Sequence, residues 1–111
     1  LRQGMTSIKA ALLPQLPAIH ENRLKASQYL RLAKQTNTQI GFMVTNASFR
    51  LTNAQLHLII ADLGTAAEAL AGNDQKMSRQ EGAMRLQNVL KTYGEFFDHP
   101  NWRLSTSAHE H

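Results

Sequence analysis

The side chains with the greatest chemical reach in this chain are basic. Arg23, Arg31 and Lys34 are spaced by eight and three residues, which on a helix sets them along one side with Ser27 between them. A stripe of this kind can follow a phosphate backbone, and Lys25 and Arg50 extend it. Histidine offers less. His20-Glu21 places an imidazole beside a carboxylate, a pairing that can accept a phosphoryl group, but the following Asn22-Arg23-Leu24-Lys25 has neither the proline nor the spacing that phosphoryl-accepting histidines require. It reads as a surface histidine. His57, between Leu56 and Leu58, reads as the flank of an apolar face, and His109 with His111 lacks a third ligand for a metal. The six glycines are scattered, so no phosphate-cradling loop forms, and no serine or threonine has an identifiable base partner. No catalytic, cofactor or metal site is expected.

Charge is divided along the chain. Up to Ala61, seven basic residues face one acidic residue, Glu21, for a net +6; from Asp62 onward five basic residues face seven acidic ones, for a net −2. The split implies either an anionic partner or packing of one half against the other half of a second subunit. With 111 residues, 42% of them hydrophobic, the chain can bury one modest core, and a single domain is expected over 1–111. Cysteine is absent, which excludes disulfides, thiolate chemistry and cysteine-bound zinc. The longest apolar run, Leu58 to Ala61, is far too short for an integral membrane segment, so the cytoplasm is the default compartment, although a removed signal peptide would leave the same sequence. Met5-Thr6-Ser7-Ile8 resembles a native start, which sets residues 1–4 aside from the fold, and Ser105 to His111 read as a flexible tail.

These side chains must be carried by helices, because the three prolines, Pro14, Pro17 and Pro100, leave a long uninterrupted interval between them. Ile8, Ala11 and Leu12 predict a first helix ending before Pro14. Pro17 suits the first position of a second, predicted over 18–35 on the stripe Ala26, Tyr29-Leu30 and Ala33. Residues 36–50 fit two patterns. Thr36, Ile40, Met43 and Ala47 continue the stripe as helix, the preferred reading; with period two, Ile40, Phe42 and Val44 would face Phe49 and Leu51 in a short β-hairpin around 40–51. Thr52 and Gln55 form a capping box with Leu51 and Leu56 at its staple positions, and Leu56, Ile59, Leu63, Ala66, Ala67 and Leu70 then run to a stop at Gly72-Asn73-Asp74. Gly64 interrupts that face and could mark a turn. Ser78 and Glu81 make a second box before Leu86, Val89, Leu90, Tyr93 and Phe96. The fold expected is all-α, a small bundle of four to five helices, with Trp102 and Leu104 folding back onto it.

The second helix offers the core little more than alanines and one tyrosine, so self-association is expected to supply missing buried area. Three functional readings follow. In the first, the chain is a non-enzymatic interaction or oligomerisation module for a protein partner, with Tyr29, Phe42, Phe49 and Trp102 as aromatic anchors. In the second, it is a basic nucleic-acid-binding regulator: the segment from Leu32 to Val44 is similar in rhythm to a helix-turn-helix with Asn37 at the turn. Arg23, Lys25, Arg31, Lys34 and Arg50 would then contact phosphates, while Thr38 and Gln39 read bases. The third, weaker reading is a membrane-surface role for the first helix through Ile8, Lys9, Leu12 and Leu13.

Overall fold

The computed structural model describes residues 2–45 and 54–96. Within them the chain forms α1 (Arg2–Leu12), a 3-10 turn (Leu13–Gln15), α2 (Leu16–His20), α3 (Ala26–Thr45), α4 (Ala54–Leu70) and α5 (Arg79–Phe96), so the all-α bundle predicted from the apolar periodicity is what forms. Arg50, Phe49, Trp102, the Thr52 cap and the 105–111 tail lie outside the described residues.

α1 ends where Pro14 forces it to, and the 3-10 turn carries the chain directly into α2. Residues 2–4, set aside on the strength of Met5, belong to the first turn of α1; Gly4 is buried, and a Cβ there would lie 3.0 Å from the Met43 side chain of α3. Met5, Ile8 and Leu12 follow it into the core.

The helix predicted over 18–35 is two helices. α2 stops at His20 because Asn22 adopts a left-handed backbone (φ 56°), a conformation asparagine tolerates better than most side chains. The Asn22 N–H donates to the Ile19 carbonyl (2.9 Å) and the Arg23 N–H to the Ala18 carbonyl (2.7 Å), the paired bonds of a Schellman stop. The same motif closes α4 at Gly72 (φ 82°), where Gly72 N–H donates to Ala69 and Asn73 N–H to Glu68, as the Gly72-Asn73-Asp74 stop predicts.

The hairpin around 40–51 is overturned where it can be seen, because residues 40–45 complete α3. Ile40 and Met43 fall on the same stripe as Tyr29, Leu32, Ala33 and Thr36, and the Thr45 hydroxyl donates back to the Gly41 carbonyl (2.8 Å). A helix that keeps its core stripe in register has no reason to stop at Thr36. The helix-turn-helix geometry falls for the same reason, since its supposed turn at Asn37 lies within one continuous helix.

α4 and α5 pack closely through small residues. Gly82 is buried on α5, and a Cβ there would meet Ala69 Cβ at 2.6 Å, the Leu70 nitrogen at 3.0 Å and the Ala66 carbonyl at 3.2 Å. Around this crossing, Leu63, Ala66, Leu70, Ala83, Leu86, Leu90 and Tyr93 are fully buried. Gly64, by contrast, lies mid-helix in α4 with open space where a Cβ would be, so it marks no turn.

Gly82→Ala is therefore expected to destabilise the protein by about 1–2 kcal/mol, overpacking outweighing the gain of about 1 kcal/mol in helix propensity. Gly64→Ala meets no such obstacle and should stabilise it by about 0.5–1 kcal/mol. Urea denaturation of the two variants beside the parent checks both signs.

Candidate functional site

The residues singled out for binding converge on α3 and the turn before it. Arg23 sits in that turn, its Nε donating to Glu21 Oε1 at 2.5 Å, an ion pair so exposed that solvent screens most of its value. The same contact engages the carboxylate that adjoins His20. Lys25 occupies the N-cap of α3: its carbonyl accepts from the Gln28 and Tyr29 N–H groups, and its own N–H donates to Gln28 Oε1 at 3.0 Å. That is half a capping box, since lysine has no side-chain oxygen to return the bond, and its charge sits at the positive end of the helix dipole.

Along α3 the helical repeat separates two faces. Tyr29, Leu32, Ala33, Thr36 and Met43 are buried. Arg31, Gln35, Thr38, Phe42 and Thr45 recur at four and three residues on the opposite side, and all are exposed. Lys34 lies one turn from Arg31 and beside Leu30, also exposed. The structure brings Arg31, Lys34 and Thr38 onto one surface, with the Thr38 hydroxyl donating to the Lys34 carbonyl at 2.9 Å, whereas Arg23, expected on the same helical stripe, precedes α3. Gln39 turns toward the edge of the core and is half-buried, a poor place from which to read a base. No acidic residue occurs on α3, and Lys25, Arg31 and Lys34 form no ion pair among the described residues.

Of the aromatic anchors, Phe42 and Tyr29 part company. Phe42 is 64% exposed toward the C-terminal end of this face, between Thr38 and Thr45. Tyr29 is 3% exposed and heads the buried stripe, which removes it from any docking surface; burial raises the pKa of its phenol above the ordinary value, so it remains protonated at neutral pH. Four further exposed apolar residues went unrecognised in the sequence: Leu30, placed there on the apolar stripe, and Val44 on α3, Leu58 on α4, 58% exposed, and Met84 on α5. A helical projection carries the signal for Leu58, which falls opposite the Leu56, Ile59 and Leu63 stripe.

A second concavity, about 650 Å3, lies beside the α4–α5 connection between Asp74, Met77, Glu81, Met84 and Arg85. Its carboxylates and Arg85 are structurally engaged, and Lys76 also lines it. Asp74 Oδ1 accepts from the Lys76 and Met77 N–H groups, Glu81 Oε1 accepts from the Ser78 N–H at 2.8 Å, and Arg85 pairs with Asp62 at 3.6 Å. Among the described residues no group of three or more histidine, aspartate or glutamate side chains could hold a metal, and no helix is long and apolar enough to cross a membrane. No protein-family model matches this chain, nor does any curated protein or any solved structure.

The imperfect cap of α3 has a measurable consequence. Lys25→Asp adds a capping oxygen and replaces an unfavourable charge at the dipole with a favourable one, and should raise stability by about 1 kcal/mol. Equilibrium urea unfolding checks this; an unchanged or lowered midpoint contradicts the assignment of Lys25 as the N-cap.

Proposed function

We propose that this chain is a non-enzymatic helical interaction module, that the outer face of α3 is its docking surface, and that a second copy of the same chain is its partner. The observation that carries the reading is Phe42: a largely exposed aromatic on a surface helix, flanked by Thr38 and Thr45, with Arg31 three turns away and no carboxylate on the same element. Anchors of this composition, an aromatic with arginine and polar neighbours, are what protein interfaces concentrate.

A second copy supplies a matching surface on α4. Leu58, Asp62, Thr65 and Glu68 are exposed there, an apolar residue followed by two carboxylates. Arg31 and Phe42 are separated by about 16 Å along α3, and Leu58 and Glu68 by about 15 Å along α4, at 1.5 Å per residue. Antiparallel docking therefore sets Phe42 against Leu58 and Arg31 against Glu68. Docking α3 on α3 would instead oppose like charges. Made once, an α3-to-α4 contact is heterologous and generates rings or extended assemblies; made reciprocally about a two-fold axis, it closes a dimer.

Charge exchange provides the test. Sedimentation velocity of the parent protein at about 100 μM should show association that Arg31→Glu and Glu68→Arg each weaken by about fivefold or more, and that the double variant restores. Phe42→Ala should abolish association while leaving the helical circular dichroism unchanged. A monomeric parent, or a double variant weaker than either single one, overturns the self-docking reading.

A second reading rests on the unpaired cations Lys25, Arg31 and Lys34, which favour an anionic polymer. Fluorescence anisotropy with a random-sequence DNA duplex at about 50 and 200 mM salt tests it, since phosphate contacts lose affinity steeply over that range. Binding that collapses with salt and weakens in Arg31→Ala/Lys34→Ala supports nucleic acid; no binding at the lower salt removes duplex DNA as the partner.

A further inference from the structure

α3 and α4 run antiparallel, because the start of one and the end of the other both adjoin the start of α5. Ala26 and Tyr29 line a recess together with Ser78, Arg79 and Gln80, while a Cβ on Gly82 would meet Ala69 and Leu70. Thr45 and Ala54 therefore share the opposite end of the bundle. Measured from that end at 1.5 Å per residue, Phe42 stands at about 4.5 Å and Leu58 at about 6 Å, and Arg31 and Glu68 both stand at about 21 Å. The residues that self-docking pairs between two copies thus already lie at equal heights within one.

Both helices also carry exposed residues along the groove between them. Met43, which would meet a Cβ on Gly4 of α1, marks the α1 side of α3; Leu30, Lys34, Gly41 and Val44, exposed on the other flank of the buried stripe, border α4. On α4, Ala69 marks the α5 side, and Ala61, Gly64 and Glu68 on the other flank border α3. Leu30 is 40% and Val44 48% exposed, apolar surface that docking through Phe42 alone leaves in water. The charges along the groove are complementary and unspent. Neither Lys34 nor Glu68 forms an ion pair among the described residues, and Glu68 accepts one long bond from Asn73 Nδ2 at 3.4 Å.

Building on the self-docking reading above, we propose that the contact is reciprocal: a second copy lies across the α3–α4 groove about a two-fold axis parallel to the helices, each α3 against the partner's α4. Such an axis preserves height, so the Phe42–Leu58 and Arg31–Glu68 contacts each form twice. Lys34 then stands within about one helical turn of the height of the partner's Glu68, and Leu30 and Val44 are covered. Area favours the closed form. One helix on one helix covers a strip about 25 Å long and 10 Å wide, about 250 Å2 per copy, against the roughly 800 Å2 that each partner buries in a stable interface. Reciprocal docking doubles the strip, and interdigitating side chains bury more accessible area than its outline.

Sedimentation equilibrium of the full chain from about 10 to 500 μM distinguishes the two geometries, since a closed dimer levels off at twice the mass of one chain. Ala61→Arg fills the groove while leaving Phe42 and Arg31 in place, and should weaken the dimer by about tenfold or more with the helical circular dichroism unchanged. Lys34→Glu should weaken it by about fivefold. Should Ala61→Arg fail to fold, the mass plateau and Lys34→Glu remain decisive. An average mass that keeps growing past two chains, or an association unaltered in either variant, overturns reciprocal docking and leaves self-docking through the outer face of α3 standing. A parent protein that stays monomeric throughout overturns both.

Discussion

The close approach of α4 and α5 at Gly82 is the constraint on which the rest of the structure depends. Only hydrogen occupies the place where a Cβ would lie inside the contact distances of Ala69 Cβ and the Leu70 backbone, so the two helices meet backbone to backbone. That approach places Leu63, Leu70, Leu86 and Leu90 in one fully buried layer, each contributing about 1.5–3 kcal/mol relative to exposure. It also sets Arg85 within reach of Asp62 and brings the first turn of α5 beside the end of α2, where Gln80 bonds to the Ile19 carbonyl. Two helix ends, one finishing and one starting, are thus held together from a crossing elsewhere in the bundle.

The two Schellman stops serve this arrangement in different ways. At Gly72 the chain leaves α4 and turns toward Ser78, whose hydroxyl and backbone exchange bonds with Glu81 to start α5. Every step of that connection uses a side chain suited to it: glycine for the left-handed position, Asp74 for the turn, Ser78 for the cap. At Asn22 the left-handed position is filled by a residue that tolerates it less readily, and the helix that follows begins on a lysine. The α2–α3 junction is thus the less optimised of the two, yet it carries Arg23 and Lys25. Local compromise in capping coincides with the region richest in exposed positive charge, a pattern expected where binding residues displace stabilising ones.

Much of this fold was legible in the sequence, because helix ends and apolar stripes are local signals. Pro14, Gly72 and the Ser78–Glu81 box each act within a few residues, and each ends or starts a helix as predicted. The break at Asn22 was missed, since no glycine or proline announces it, although Ile19 and Leu24, five residues apart, do not share one helical face. The surface was harder still. Tyr29 and Phe42 are both aromatics on α3, and only the phase of the helix against its neighbours sends one into the core and the other into solvent.

The same helical phase explains how α3 can present the proposed docking face without weakening the bundle. Its core contribution comes from Tyr29, Leu32, Ala33, Thr36 and Met43, a stripe narrow enough that the opposite side is free of packing duty. The alanine and threonine in that stripe sit where α3 packs on α1 and α4, beside the larger buried Tyr29, Leu32 and Met43. The outer positions are then open to any residue that preserves helicity, and in this chain they hold two cations, an aromatic and several uncharged polar groups but no carboxylate. A surface helix under no constraint but solubility would mix its charges, with acids paired to bases at four-residue spacing. The departure from that mixture, on the side of α3 that the core leaves free, is the main support for the proposal that α3 is a docking surface.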